Sequence, residues 1–222
     1  MRKMIAASAA VLATSLAASV ACADTITFSG SEVSTENLAS FTGSMTWNYS
    51  GGGVGSLVVS LTNTSVASNG GKLTGFAFNT SFTGLNLTLC GAPNASWLIQ
   101  QNASGSPYGT FDWAAALGGN FLGGGSPNAG IAVGDTGVFT FCVKGDDSIV
   151  SGLSASSFFD GDCTCEPGEE NRYPFAARFR GFNDGGSDKV VACPPSVVPV
   201  PMPVALAAAG LLGVGFMRRR IK

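Results

Sequence analysis

The sequence contains no histidine. A chain without histidine cannot use Ser-His-Asp or Cys-His catalysis, and it lacks the commonest protein ligand of zinc and copper. Charged residues are also scarce, at 12% of the chain. The segment from Asp24 to Cys193 contains all 14 acidic residues but only six basic ones, so its net charge is −8. We therefore expect no nucleic-acid partner, because the segment lacks the excess of Lys and Arg residues that binds phosphates.

The composition favours strands and tight turns over helices. Helix-favouring Lys, Glu and Gln are scarce, whereas Phe, Val, Gly, Ser, Thr and Asn are frequent. In residues 56–63, Leu57, Val59 and Leu61 alternate with other residues, which is the period of a strand with one buried face. Similar runs predict strands at Thr25–Phe28, Phe41–Tyr49, Ser56–Asn63, Leu73–Phe78, Leu85–Cys90, Trp97–Gln101, Gly137–Val143, Phe175–Phe182 and Val190–Ala192.

Two segments predict short helical turns instead, Asp112–Leu117 and Ser154–Phe159, the second with Ser154 as its N-cap. The glycine-dense stretch Gly118–Ala132 predicts a loop. No internal repeat stands out, which argues against a propeller or a solenoid. We expect an all-β fold, a two-layer antiparallel β-sandwich or jelly roll, formed by residues 24–193 as one domain.

Residues 1–23 have the three parts of a secretory signal peptide. Arg2 and Lys3 precede the apolar stretch Met4–Val20, which ends at Ala21-Cys22-Ala23. A basic start, an apolar middle and an Ala-x-Ala end direct a chain to export, and we expect cleavage after Ala23. An alternative is that Cys22 is a lipidation cysteine, although Ser19 stands where such sites usually have Leu.

Residues 194–222 contain a proline motif, an apolar run and a basic end, in that order. Val198–Pro203 is followed by the uncharged run Val204–Met217 and then by three arginines. As a helix the run would rise about 21 Å, less than the roughly 30 Å hydrocarbon core, so it predicts a marginal membrane span. The arginines predict that the end of the chain stays cytoplasmic.

This order of parts resembles the PEP-CTERM sorting signal in its VPLPA-like variant. The motif would be Val200, Pro201, Met202 and Pro203 followed by Val204, and Arg218, Arg219 and Arg220 would be the basic end. The chain departs from the pattern by lacking Glu between the prolines. Residues 61–65, 73–76 and 179–190 also resemble the β-rich cargo domains that this sorting family carries.

In that family the tail is recognised by an exosortase, a membrane-embedded cysteine transpeptidase-like enzyme of Gram-negative bacteria. The resemblance implies transient insertion into the inner membrane and removal of the tail near the motif. It also implies delivery to the cell surface or to an extracellular polysaccharide matrix. The alternative is that the tail is kept, which would make the protein a permanently anchored surface protein with one membrane span.

Five cysteines remain after signal cleavage. In an exported chain, cysteines are expected to form disulfides rather than to serve redox catalysis or metal binding. The odd count leaves at least one thiol free or paired with another chain. Cys163 and Cys165 are too close in sequence for an easy mutual bridge. Cys90 and Cys142 are the preferred pair because both lie in strand-like segments, and the sequence leaves open how Cys163, Cys165 and Cys193 pair.

The most polar stretch is the acidic loop 160–170. Asp160 and Asp162 begin it as an EF-hand calcium loop begins, with oxygen ligands at alternate positions. The match then fails, because Cys165 replaces the turn glycine and Asn171 the closing glutamate. The sequence predicts no cofactor, and a looser Ca²⁺ site at Asp160 and Asp162 is the alternative to a solvated loop.

Sugar chemistry could use carboxylates or aromatic rings. A glycosidase needs one acid with a raised pKa and a second that stays ionised. The eligible acids are Asp112, Asp135, Asp160, Asp162 and Glu166. The candidate rings for stacking on sugars are Trp47, Trp97, Tyr108 and Trp113, although in a sandwich such residues belong more often to the core.

The sequence as a whole predicts an exported, non-enzymatic protein with a structural or adhesive role, and contact with extracellular polysaccharide is one form that this role could take. The alternative is a secreted carbohydrate-active enzyme or a glycan-binding module that uses acidic residues. Two carboxylates facing each other across an aromatic-lined cleft would favour the alternative. Carboxylates scattered over loops would favour the adhesive role.

Overall fold

The computed structural model of the protein describes residues 23–31, 33–123, 125–161 and 173–193. Ten strands lie in these ranges and form two antiparallel sheets. In chain order they are β1 (Asp24–Gly30), β2 (Phe41–Gly51), β3 (Val54–Asn63), β4 (Gly70–Phe78), β5 (Asn86–Gly91), β6 (Trp97–Ser104), β7 (Thr110–Leu117), β8 (Thr136–Lys144), β9 (Phe175–Phe182) and β10 (Ser187–Ala192). Sheet I has the order β1-β2-β3-β8-β5, and sheet II has the order β10-β9-β4-β7-β6.

Helical structure in the same ranges is confined to short turns. One turn of α-helix, α1 (Asp147–Val150), follows β8, and 3₁₀ turns lie at Ala67–Asn69, Pro127–Ala129 and Ala155–Phe158. The 3₁₀ turn Ala155–Phe158 confirms the helical turn predicted after Ser154. The backbone N–H of Ser154 donates to Ser157 Oγ at 3.0 Å. Within the described ranges no helix is long and apolar enough to cross a membrane. Residues 1–22 and 194–222, which hold the signal and sorting predictions, lie outside those ranges.

The prediction of an all-β sandwich is confirmed, and each of the nine predicted strands corresponds to an observed strand. The helical turn predicted at Asp112–Leu117 is wrong, because these residues lie in β7 and pair with β4 and β6. Ala115 faces the space between the sheets, whereas Ala114 and Ala116 pack on the outer face of sheet II. A strand buried on both faces shows no polar alternation, and pairing overrides the helix propensity of its three alanines.

The two sheets pack face to face around a core rich in phenylalanine. Phe76 of sheet II meets Phe139 of sheet I edge to face, with ring centroids 4.7 Å apart, and stacks on Phe175 at 5.7 Å. Phe28 of β1 also contacts Phe175, at 4.7 Å. Burying one such ring contributes about 1.5–3 kcal/mol relative to leaving it exposed. This core fixes which side chains of each strand point inward and which point outward.

A second apolar cluster covers part of the outer face of sheet II. Its strand residues are mostly small, and larger rings from the connecting segments lie over them. At Gly75 a Cβ atom would come within 3.2 Å of Phe121 and of Ala116, so the covering segment approaches the sheet closely. The cluster consists of Ala77, Ala103, Tyr108, Phe111, Ala114, Ala116, Phe121, Tyr173, Ala176 and Val191.

A buried carboxylate holds the segment between β1 and β2 against the edge strand β10. Asp188 is fully buried, and its two oxygens accept hydrogen bonds only from residues 34–39 among the contacts described. The backbone of the same segment bonds to β10, from Val191 N to Val33 O and from Thr35 N to Lys189 O, both at 3.0 Å. The donors to Asp188 are the hydroxyls of Ser34 and Thr35 and the backbone N–H groups of Thr35, Glu36, Leu38 and Ala39, at 2.6–3.1 Å.

This arrangement stabilises the ionised form of Asp188. Burial alone would raise the pKa of its carboxyl group, but the hydrogen bonds from Ser34, Leu38 and Thr35 outweigh burial and hold the pKa below its ordinary value. The segment 33–39 thereby covers an edge that would otherwise expose unpaired backbone groups. The sequence indicates neither the lowered pKa of Asp188 nor the covering of the β10 edge, because Asp188 is one acid among 14.

Replacement of Asp188 by Asn is expected to destabilise the protein strongly. The amide would turn one accepting oxygen into a donor that faces backbone N–H groups, and the charge that strengthens the bonds would be lost. We expect a loss of about 3 kcal/mol in the free energy of unfolding at pH 7, measured by denaturant titration. The pKa of Asp188 is lower in the folded protein than in the unfolded chain. The stability advantage of the wild type over Asp188→Asn is therefore complete above a pH of about 4 and declines as the pH falls through the folded pKa.

The matched control is Asp184→Asn. Asp184 lies in an exposed turn, where its Oδ1 accepts from Gly186 N at 2.8 Å, a bond that Asn can keep. Its effect should stay below about 0.5 kcal/mol. Equal losses in the two variants, or a wild-type advantage that does not narrow in acid, would contradict the role given to Asp188.

Candidate functional site

The preferred disulfide is present. Cys90 of β5 and Cys142 of β8 are bonded, with Cα atoms 5.8 Å apart and a separation of 52 residues along the chain. The bond joins the edge strand of sheet I to its neighbour. Cys193 is also disulfide-bonded, to a partner that lies outside the described residues. Cys163 and Cys165 lie outside them as well.

The aromatic residues considered for stacking on sugars are buried. Trp97 is 3% exposed, Trp47 4%, and Trp113 and Tyr108 8% each. The two most buried indoles contact core phenylalanines, Trp97 with Phe139 and Trp47 with Phe158. Burial, together with Asp188 and Tyr173, raises the pKa of Tyr108 to about 12. These four rings therefore belong to packed clusters and present no flat face to a ligand.

Of the described carboxylates considered for acid–base chemistry, Asp112 and Asp160 lie at one corner of the sandwich, and Asp135 lies apart from them. At the corner formed by Asn79 and Thr80, Asp112 N donates to Asn79 Oδ1 and Thr80 N donates to Asp112 Oδ2. Asp160 N donates to Asn79 O at the same corner. Asp135 lies at the other end of β4, where its carbonyl accepts from Asn63 N. Asp162 and Glu166 lie outside the described residues, so the alternative of a Ca²⁺ site at Asp160 and Asp162 stays a prediction. Among the residues that the structure describes, no group of three or more Cys, Asp or Glu side chains could hold a metal ion.

The outward side of sheet I, which we call the hydroxyl face, is rich in short hydroxyl side chains and also carries Val58 and Val138. The strand period of two places alternate residues of each strand on this side. In the described strands of sheet I no Asp or Glu occupies an outward position, and the charged residue at its margin is Lys144. The outward Ser and Thr residues are Thr25, Thr27, Ser29, Thr42, Ser44, Thr46, Ser56, Ser60, Thr62, Thr88, Thr136 and Thr140.

The strand register aligns these hydroxyls in rows across the sheet. One row runs from Ser29 through Thr42 and Thr62 to Thr136, and a second joins Thr27, Ser44 and Ser60. Neighbouring strands lie about 4.8 Å apart and alternate residues of a strand about 6.7 Å apart, so the hydroxyls form a regular array. Some neighbours bond to each other, Thr62 Oγ1 with Thr136 Oγ1 at 2.7 Å and Thr25 Oγ1 with Thr46 Oγ1 at 2.9 Å.

An open groove of about 490 Å³ lies on the hydroxyl face. It extends over β1, β2 and β3 and includes no carboxylate. A hydroxyl both donates and accepts hydrogen bonds. This surface can therefore act as hydrogen-bond donor or as acceptor towards a neutral polar ligand. The lining residues are Thr27, Phe28, Ser29, Thr42, Gly43, Ser44, Ser60 and Thr62.

The sequence carries a signal for this surface. Thr and Ser recur at every second position in 25–29, in 42–46 and in 60–62, which is the alternation that also marks these strands. Comparisons with models of protein families, with curated proteins and with solved structures find nothing that matches this chain. The function must therefore be argued from the chemistry of the described surfaces.

Removal of the Cys90–Cys142 bond is expected to lower stability without abolishing the fold. The bond closes a loop of 52 residues, and constraining a loop of that size contributes about 2–4 kcal/mol. The double variant Cys90→Ala with Cys142→Ala should unfold at a lower denaturant concentration. The double variant is preferable to a reductant, because a reductant would also break the bond of Cys193.

Asn86→Ala is the control for this experiment. Asn86 is an exposed outward residue of the same strand, and its removal should change the free energy of unfolding by less than about 0.5 kcal/mol. If the double variant were as stable as the wild type, the bond would have no part in holding β5 to sheet I.

Proposed function

We propose that this chain is an exported, non-enzymatic protein of the cell surface or extracellular matrix, and that its hydroxyl face adheres to neutral polysaccharide. The observation that carries the proposal is an uncharged, hydroxyl-rich sheet surface on a domain whose net charge is −8. Within this proposal the domain is a jelly-roll-like sandwich, residues 1–23 direct export, and residues 194–222 are a membrane-inserted sorting segment read by an exosortase-type enzyme.

The distribution of charge supports a neutral ligand. Many of the described acids lie at turns and corners: Asp146 and Asp147 after β8, Asp184 before β10, and Asp112 and Asp160 near Asn79. The hydroxyl face is free of them. Sugar hydroxyls are donors and acceptors, as Ser and Thr hydroxyls are, so the two surfaces can exchange hydrogen bonds in both directions.

The rigidity of the hydroxyl face also supports adhesion. Ser44 and Ser60 lie on neighbouring strands inside the sheet, where their backbones are fixed by the ladder on both sides. Their side chains are short, so binding would immobilise few rotatable bonds and the entropic cost of association would be small. The groove is open and spans three strands, which suits an extended chain better than an enclosed small molecule.

A charge placed in the groove is expected to weaken binding to neutral polysaccharide. Thr42→Glu would introduce a carboxylate that loses water against the sugar and gains no partner, so we expect at least a tenfold loss, about 1.4 kcal/mol. Thr42→Val, which removes only the hydroxyl, should reduce affinity by about fivefold. Binding would be measured by the retardation of the protein in native gels that contain dextran, soluble starch or hydroxyethylcellulose.

The control variant is Thr83→Glu, which makes the same substitution at an exposed position in the segment between β4 and β5. It alters the net charge equally but lies outside the hydroxyl face. Equal losses in Thr42→Glu and Thr83→Glu would show that net charge, and not the groove, governs binding. Absence of retardation by every neutral polymer would reject the adhesive role assigned to this face.

Processing at both ends is expected in the native host. The mature protein should begin at Asp24 and should lack the arginines of the tail, because the terminal segments are proposed to be removed by a signal peptidase and by the sorting enzyme. Intact mass of the protein from cells and from medium would measure both cleavages. A membrane-bound form that retains Val204–Lys222 would reject tail removal and leave a permanently anchored protein.

A further inference from the structure

The groove on the hydroxyl face is longer across the strands than along them. Its outward hydroxyls belong to two rows of the register and come from three neighbouring strands. At the spacings of a β-sheet, three strands extend over about 9.6 Å and two successive outward positions over about 6.7 Å. One row is formed by Ser29, Thr42 and Thr62, and the other by Thr27, Ser44 and Ser60.

The spacing of the hydroxyls differs in the two directions, and only one spacing matches a sugar chain. Along a row, neighbouring hydroxyls are one strand apart, about 4.8 Å, whereas along a strand they are two residues apart, about 6.7 Å. An extended chain of β-1,4-linked pyranoses advances by close to the strand spacing with each sugar. Such a chain presents one sugar to each strand when it lies along a row, and it does not match the hydroxyls when it lies along a strand.

The groove offers apolar contacts beside its hydroxyl groups. Each threonine that lines it has a methyl group next to the hydroxyl. Val138 of β8 continues the row of Ser60 and is 52% exposed, and Val58 occupies the preceding outward position of β3. A β-1,4-linked chain is a ribbon with hydroxyls along its edges and C–H groups on its faces. It can therefore exchange hydrogen bonds with the serine and threonine hydroxyls while it covers the methyl groups.

We propose, on the basis of the adhesive function proposed above for the hydroxyl face, that its groove binds a neutral polysaccharide of the extended, β-1,4-linked class. One chain lies across β1, β2 and β3, along the two rows of hydroxyls. Sheets twist by about 20–25° from one strand to the next, so the bound chain has to twist with the sheet. A single soluble chain can do this, whereas a chain fixed in a flat crystalline bundle cannot.

Other polysaccharide classes fit the groove less well. The α-1,4-linked chain of starch curves, and the α-1,6 linkage of dextran has an additional rotatable bond, so both polymers lose more conformational entropy when they are held straight. An acidic chain is repelled by the net charge of −8. In the described strands of sheet I the outward cation is Lys144, which pairs with Val54 at the other end of β3 from the groove.

Three variants distinguish a chain that crosses the strands from one that follows them. Ser44 and Ser60 share a row, whereas Thr46 is the next outward residue of β2 after Ser44 and lies outside the groove. In native gels that contain hydroxyethylcellulose, a soluble β-1,4-linked glucan, Ser44→Ala and Ser60→Ala are each expected to bind about fivefold more weakly than the wild type. Thr46→Val, the matched control, also loses one hydroxyl and should bind as the wild type does.

Two oligosaccharides test the class of ligand. Cellohexaose should compete with the polymer in the gel, whereas maltohexaose, which contains the same sugars in α-1,4 linkage, should not. The unfolding midpoints of the three variants should match that of the wild type, because outward hydroxyls contribute little to stability. A loss of affinity in Ser44→Ala and Ser60→Ala then reports contact with the ligand.

The possible failures are distinguishable from one another. A loss of affinity in Thr46→Val with none in Ser60→Ala would place the ligand along β2 and overturn the direction proposed for the chain. Equal competition by maltohexaose and cellohexaose would overturn the ligand class. Either result would leave the adhesive function in place, whereas failure of every neutral polymer to retard the wild type would reject that function and this ligand together.

Discussion

The packing of phenylalanine rings between the two sheets is the constraint on which the other surfaces depend. Phe76, Phe139 and Phe175 bring β4, β8 and β9 into contact at the centre of the sandwich. Because side chains alternate along a strand, fixing the inward set also fixes the outward set. A shift of one residue in β3 would place Leu57 and Leu61 in water and Ser60 in the core. The rows of hydroxyls on sheet I are thus maintained by the same burial that holds the sheets together.

Sheet II meets a different constraint, because connecting segments cover part of its outer face. Small residues such as Ala114 and Ala116 leave room for Phe121 and for the glycine-rich segment that follows β7. A segment so poor in side chains has backbone carbonyls that need partners when they lie against the sheet. Arg178 and Arg180 supply donors to two of them. The cations consequently position the covering segment as well as giving the face its charge.

The strands were predictable from sequence where one face is buried and the other is polar, as in β3. Prediction failed at β7, where burial on both faces removes the alternation and leaves only the helix propensity of alanine. The Cys90–Cys142 pair could be preferred because both residues lie in strand-like segments. The alternating Ser and Thr of the hydroxyl face are present in the sequence, but on their own they predict only strands with one polar side. Asp188 was not foreseeable, since its partners at 34–39 are about 150 residues away in the chain and nothing local marks it.

The placing of Arg178, Arg180, Lys72 and Lys189 together on sheet II could not be foreseen for the same reason. Lys72 meets Arg180 only through the pairing of β4 with β9, and that register is a property of the whole sheet. Once the register is known, the two outer surfaces of the domain differ in chemistry, with neutral hydroxyls on one side and cations on the other. Stacked sheets lie about 10 Å apart, so both surfaces belong to one rigid body with no linker between them.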